Sequence, residues 1–260
     1  MEKITKAQIK LVRSLQQKKF RDELSLFVAE GEKCISELSK AFELVYLFRE
    51  GENATRLEIE QMSGLKTPQG VIAVFKKRET TDSKLDDFSQ LSTLNSQLSL
   101  ALDSIQDPGN LGTIIRTCDW FGVHDIFCSL DTADCFNPKV VQATMGALAR
   151  VRLHYLDLPK WLESANCPIY GTLLDGQNMY EVLRDKSQIT IPSDRALTEQ
   201  RNHKSQIIVM GNEGNGISNE VRKYISHAIR IPSYPKNVET SESLNVSIAT
   251  AIVLAEFRRP

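Results

Sequence analysis

Apolar residues recur in this chain with two alternating rhythms, one helical and one extended. In the first third, helical spacing covers residues 4–19, 30–40 and 55–62, and short apolar runs at 26–29, 44–48 and 71–75 read as strands. A polar stretch follows, KKRETTDSKLDDFSQLSTLNSQ, between Lys76 and Leu98. With few large apolar residues it reads as a linker. Beyond it, strands at 98–103, 124–128, 151–155, 168–174, 206–210 and 228–231 alternate with helices at 110–121, 138–149, 159–165, 218–226 and 244–258. Such alternation predicts an α/β fold with a mostly parallel sheet covered by helices. The expected organisation is a small α/β domain over 1–78, a linker over 79–96 and a larger α/β domain over 97–260.

Polar residues interrupt the pattern at three element ends. Residues 243–247, Ser-Leu-Asn-Val-Ser, open the helix over 244–258, whose sequence is too apolar to expose any face. Helix N-termini carry unpaired amide donors, so such a cluster suits a ligand, although plain N-capping explains it too. In DSIQDPGNLGTIIRTC, residues 103–118, a strand meets an Asp-Pro-Gly-Asn turn and a helix expected to be capped by Asn110. Arg116 lies five positions past Leu111, about 140° around that helix, so it leaves the apolar stripe and faces either a cleft or an Asp119 surface partner.

The third segment, QIIVMGNEGNGIS over 206–218, runs a buried strand into three glycines and a capping Ser218. Ile217 stands where a phosphate-binding loop needs lysine, which removes the cation for a nucleoside triphosphate. The glycine spacing does not fit a dinucleotide fingerprint either, and Glu213 would repel a pyrophosphate.

In this order, DPGNLGTIIRTCDWFGV, IIVMGNEGNGIS and IP…SESLNVSIATAIVLAE resemble the three signature motifs of the SpoU (TrmH-type) branch of the SPOUT methyltransferases. The resemblance covers residues 97–258. It implies a deep trefoil knot late in the domain, S-adenosylmethionine as cofactor, a homodimer, and methyl transfer to a ribose 2′-hydroxyl of RNA. Ribosomal RNA is favoured over transfer RNA because the two-domain layout is similar to that of rRNA enzymes. A non-catalytic RNA-binding protein that keeps the fold is the rival reading. The first domain is similar to the ribosomal-protein-like RNA-binding domain that precedes many such catalytic domains, through Arg21, Phe27, Glu30, Gly31, Thr67, Pro68, Gln69 and Gly70.

By the same resemblance the catalytic set is Asn110, Arg116, Glu213, Ser243 and Asn245, and Leu173, Gly211, Gly216, Ile231 and Leu244 hold the cofactor. Neutralising an arginine near pH 7 costs about 7 kcal/mol, so Arg116 is better suited to grip a phosphate bidentately. The proton acceptor is then a phosphate oxygen, a water or a transiently deprotonated Arg116. Connections over 185–205 and 233–242 are longer than the motifs require and would reshape the cofactor and substrate surfaces.

Composition changes little. The chain has 260 residues and a net charge of −1, which does not announce a nucleic-acid binder. Residues 1–21, however, carry seven basic residues against Glu2, and Lys10, Arg13, Lys18 and Arg21 are the expected RNA contacts unless the run is a solvated face. Five scattered cysteines without a C-x-x-C pair give neither a disulfide framework nor a zinc site. They suit a reducing, cytoplasmic setting. The four histidines lack metal-ligand spacing, and no apolar run is long enough to span a bilayer.

Overall fold

The structure, a computed structural model, describes residues 3–78, 98–184, 205–235, 238 and 241–259. The linker reading over 79–96, residues 185–204 of the first long connection, and residues 236, 237, 239 and 240 of the second lie outside those residues. Contacts divide the chain into two units. The first joins the N-terminal residues to 107–116 and 133–151, and the second takes 117–132, the residues before 107 that follow the linker, and everything from 152 on.

In the first unit the elements run α1 (Lys6–Ser14), α2 (Lys18–Leu24), β1 (Leu26–Glu30), α3 (Glu32–Leu38), β2 (Leu44–Arg49), α4 (Arg56–Met62) and β3 (Val71–Lys76). The sheet order is β1-β3-β2 and both pairings are antiparallel, so alternation with helices did not produce a parallel sheet here. Helices α1 and α4 each start on a capping box, Thr5 with Gln8 and Thr55 with Glu58. They bury Val12, Leu15, Ile59 and Met62 against Val28, Phe48, Ile72 and Val74 on one sheet face. The other face holds an aromatic cluster in which Phe27 meets Phe42, Phe75 and Phe136 at ring-centroid distances of 5.0, 5.6 and 4.9 Å.

The expected helix over 4–19 is two helices, and a buried arginine explains the break. Arg21 Nη1 donates to the carbonyls of Leu15 and Gln16, each at 2.9 Å, which satisfies the C-terminus of α1 and lets Gln17 turn extended before α2. The rest of its fork grips Asp134, with Nε and Nη2 at 3.0 and 2.7 Å from Oδ2. Only 2% of Arg21 is exposed. Its assignment as an RNA contact is therefore corrected: every donor group points into the fold.

The second unit contains β4 (Leu98–Leu102), β5 (Asp125–Ser129), β6 (Arg152–Leu156), β7 (Ile169–Asn178), β8 (Gln206–Met210) and β9 (His227–Arg230). They form one sheet in the order β6-β5-β4-β8-β7-β9, and every pairing is parallel. Helix α5 (Pro108–Trp120) follows β4 and passes from the first unit into the second; α6 (Pro138–Thr144) lies in the first. The remaining helices are α7 (Leu158–Glu163), α8 (Met179–Arg184), α9 (Asn219–Arg222) and α10 (Val246–Phe257). One sheet face is closed by α7 and α9, where Trp161 stacks on Phe127 at 4.1 Å beside Leu162, Val209, Ile217 and Val221.

Two helices are shorter than their periodicity suggests. The one expected over 138–149 ends at Thr144, because Met145 and Gly146 are left-handed (φ 52° and 91°) and a 3₁₀ turn follows at Ala147–Ala149. The one expected over 218–226 is a single turn capped by Ser218. Conversely β7 runs on to Asn178 and leads into α8, which has no sequence-based counterpart.

Removing one member of a buried ion pair leaves the other charge uncompensated, typically at about 3–5 kcal/mol. Arg21→Ala should lower stability on that scale in urea unfolding while leaving the salt dependence of RNA binding unchanged. A loss of less than about 1 kcal/mol, as for an exposed pair, would contradict the buried role.

Candidate active site

Parallel α/β sheets bind ligands beyond the carboxyl ends of their strands, where the strand order reverses. Here the chain steps from β4 to β5 and β6 on one side, and β8 then enters between β4 and β7 on the other. The segments following β4, β8, β7 and β9 are therefore those expected to line a site, and they contain the three motifs.

After β4, the amide of Asp103 continues the ladder by donating to Met210 O at 2.9 Å. The first turn of α5 is capped by Asp107, whose Oδ1 accepts from the Asn110 amide at 2.8 Å. Asn110 therefore lies inside the helix, half-buried, and the expectation that it is the cap is corrected. Proline at the first helical position moves the start upstream. Leu111, Ile114, Ile115 and Cys118 are fully buried, whereas Arg116 is exposed on another face. Arg116 forms no hydrogen bond or ion pair among the described residues, so the surface pair with Asp119 is not made.

After β8, residues 211–218 wind back on themselves. Asn212 and Gly216 exchange backbone hydrogen bonds at 2.9 Å, and Asn212 Oδ1 accepts from the amides of Gly214 (2.9 Å) and Asn215 (3.1 Å). A Cβ on Gly211 would overlap the backbone of Gly216 and Ile217, so only glycine permits this crossing. Gly216 takes φ +68° and would meet nothing within 4 Å, leaving its backbone open to a ligand. Glu213 is exposed on the same loop.

The loop is tied to the end of β4. Asp103, a carboxylate only 4% exposed, accepts from the Ser218 amide at 2.7 Å, and Asn212 Nδ2 donates to Ser104 O at 2.7 Å. Ser104 in turn donates its amide to Ser129 Oγ (2.8 Å) and its hydroxyl to Asp131 (2.5 Å). Those hydroxyl bonds, from Ser104 first and Ser129 second, hold the Asp131 carboxyl below its ordinary range. None of Asp103, Ser104, Asn212, Ser129 or Asp131 was singled out from the sequence. Asp103 was the detectable one: an apolar strand that ends on a carboxylate beside a glycine loop is an unusual terminus.

At the third motif, Asn245 is the N-cap of α10, with Oδ1 accepting from the Ser247 amide (3.0 Å), the Ser247 hydroxyl (2.6 Å) and the Ile248 amide (3.4 Å). Ser243 and Leu244 are exposed just before it. Leu173 packs partly against the α7/α9 core, and Ile231 is half-buried beyond β9. Asn110 and Arg116 fall in the first unit; Glu213, Ser243, Asn245, Leu173, Gly211, Gly216, Ile231 and Leu244 fall in the second. Lys10 and Arg13 are exposed on α1, and Lys18 is exposed but paired with Asp22 at 2.6 Å. Open glycine backbone, part-exposed apolar side chains and hydroxyl or amide groups suit an adenosine-containing ligand. No cluster of three or more metal-ligating side chains occurs among the described residues.

The SpoU rRNA Methylase family model matches residues 97–255, and an MRM3-like substrate binding domain matches 6–73. The chain is 30% identical over 202 residues to an uncharacterized tRNA/rRNA methyltransferase of Synechocystis, covering 77% of this chain and 64% of that protein. It is 26% identical to the 23S rRNA (guanosine(2553)-2′-O)-methyltransferase RlmP of Bacillus subtilis, over 99% of this chain and 98% of that one. An AdoMet-bound rRNA methyltransferase from Sinorhizobium meliloti superposes with a TM-score of 0.77 at 28% identity, covering 100% and 97% of the two chains.

Two glycines of the loop separate steric need from simple flexibility. Gly211→Ala should weaken S-adenosylmethionine binding by at least about tenfold in calorimetry, since backbone cannot yield to the new Cβ. Gly214→Ala, whose Cβ would meet only Asn212 Oδ1 at 3.6 Å, should change it little. Equal effects would mean that the loop shape does not matter.

Proposed function

Because the chain belongs to the SpoU rRNA methylase family, we propose that it is an S-adenosylmethionine-dependent RNA 2′-O-methyltransferase that acts on ribosomal RNA. The reading is carried by Arg116, an exposed cation on α5 with no hydrogen bond or ion pair among the described residues, in a chain that also builds the glycine loop after β8. The loop backbone, closed at Gly211 by its crossing with Gly216 and open at Gly216, holds the adenosine half together with Leu173, Ile231 and Leu244. The bound cofactor supplies an electrophilic sulfonium methyl.

The protein's task is to align a weakly nucleophilic hydroxyl and help it lose a proton. Arg116 grips the phosphate beside the target ribose through its planar fork. By the family resemblance Asn110 and Ser243 contact the ribose, Asn245 holds the first turn of α10, and Glu213 braces the glycine loop. The proton leaves to a phosphate oxygen or water, because a guanidinium held on a phosphate stays charged. A deep trefoil knot in the last part of the domain and a cytoplasmic location belong to the same reading.

Substrate RNA is gripped electrostatically by α1, whose Lys6, Lys10 and Arg13 recur at helical spacing on one exposed stripe. Because the N-terminal residues pack on 133–151 through Phe136 and Asp134, charge reversal on this stripe is a cleaner test than deletion. Lys6→Glu/Lys10→Glu should weaken RNA binding and flatten its salt dependence. An unchanged salt slope would mark the stripe as a solvated face only.

The enzyme acts as a homodimer. Helix α10 was expected to bury every face, yet Ile248 is 54% exposed, Ala251 and Ile252 are half-buried and Ala255 is exposed along the same stripe. Trp120, 84% exposed, lies near its other end, where Arg258 bonds the carbonyls of Phe121 and Gly122. Such a stripe suits a second copy. Light scattering should give about twice the 29.3 kDa chain mass. Ile248→Asp should yield monomers; an active wild-type monomer would exclude the dimer.

Arg116→Ala should leave cofactor affinity within a few-fold but lower single-turnover methyl transfer by about a hundredfold or more. Arg116→Lys should not restore it, since a point charge lacks the fork. Near-normal transfer by the alanine variant would remove the catalytic role.

A further inference from the structure

Ser104 occupies the left-handed region at φ +60°, a conformation that a serine holds only where its surroundings fix it. Each of its polar groups is engaged: the amide by Ser129, the hydroxyl by Asp131 and the carbonyl by Asn212. Ser129 is itself fixed, donating to Asp131 Oδ1 at 2.6 Å and lying 3.0 Å from Thr132 Oγ1. A chain of hydrogen bonds therefore runs from the end of β5, through the end of β4, to the loop after β8. Asn212 is its last member, and it holds the loop at both ends of its amide: Nδ2–H faces Ser104, and Oδ1 gathers the amides of Gly214 and Asn215.

We propose that Asn212 is a positioning residue which, clamped to Ser104, presets the Gly211–Gly216 backbone in the shape that receives the cofactor's adenosine half, with Asp131 and Ser129 holding Ser104 in place. The inference rests on the reading of that loop as the cofactor site. A loop of three glycines loses much conformational freedom on ordering. A clamp that prepays this ordering raises cofactor affinity without touching the reacting atoms, so its loss should appear in the Michaelis constant for cofactor and not in the saturated rate.

The test is calorimetry with S-adenosylmethionine, together with methyl transfer to bulk ribosomal RNA across cofactor concentrations. Asn212→Ala removes both halves of the contact. Asn212→Asp keeps the acceptor for Gly214 and Asn215 but sets a carboxylate oxygen against the Ser104 carbonyl. Both should weaken cofactor binding and raise its KM by about tenfold, with kcat at saturating cofactor and RNA affinity within about twofold of wild type. Asp131→Ala, distant from the loop in sequence, should act in the same direction by about threefold. If Asn212→Ala fails to fold, the other two variants carry the test. Wild-type affinity in Asn212→Asp would overturn the clamp, as would a fall in kcat with KM unchanged. Absence of cofactor binding by the wild type would overturn the cofactor reading, and the inference with it.

Discussion

Strand β8 lies between β4 and β7, and its pairing with β4 runs from Leu98 opposite Gln206 to Leu102 opposite Met210. This register sets the two loops that leave the adjoining carboxyl ends side by side. One additional bond from the Asp103 amide to Met210 O carries the ladder past the last strand residue, and the Asp103 carboxylate then takes the Ser218 amide. A shift of one residue would exchange the faces of every side chain in β8 and carry Gly211 away from its crossing with Gly216. The glycines supply the close approach, but the pairing decides where that approach occurs.

The same logic explains how polar groups are tolerated so near a buried sheet. Asp103, Ser129 and Thr132 are all buried, and each has a hydrogen-bond partner, so the network costs little beyond its ordering. On the other unit, Arg21 plays a comparable part. Its guanidinium closes α1 and holds Asp134, so the helix that carries Lys6, Lys10 and Arg13 leaves the core at a fixed break.

Much of the architecture was legible because strands and helices differ in apolar period. The strands of the large sheet fall within a few residues of their sequence-based positions, with β8 at 206–210 unchanged. Periodicity carries no information about pairing, so neither the antiparallel order β1-β3-β2 nor the insertion of β8 could be read from it. The break after α1 was also hidden: Lys18, Lys19 and Arg21 look like one basic helical face, and only the tertiary partner Asp134 turns Arg21 inward. In the site, the motifs drew attention to Arg116, Glu213 and Asn245 through their chemistry. Ser104 and Asn212 escaped notice because their roles depend on a contact across 108 positions of sequence.

Ribose methylation of RNA is tested most directly by the chemical identity of the product. Purified protein incubated with labelled S-adenosylmethionine and ribosomal RNA from cells lacking the gene should yield, after digestion to nucleosides and mass spectrometry, one 2′-O-methylated nucleoside from a single site. Label on a base, or no incorporation into that RNA by protein that binds the cofactor, would contradict the account.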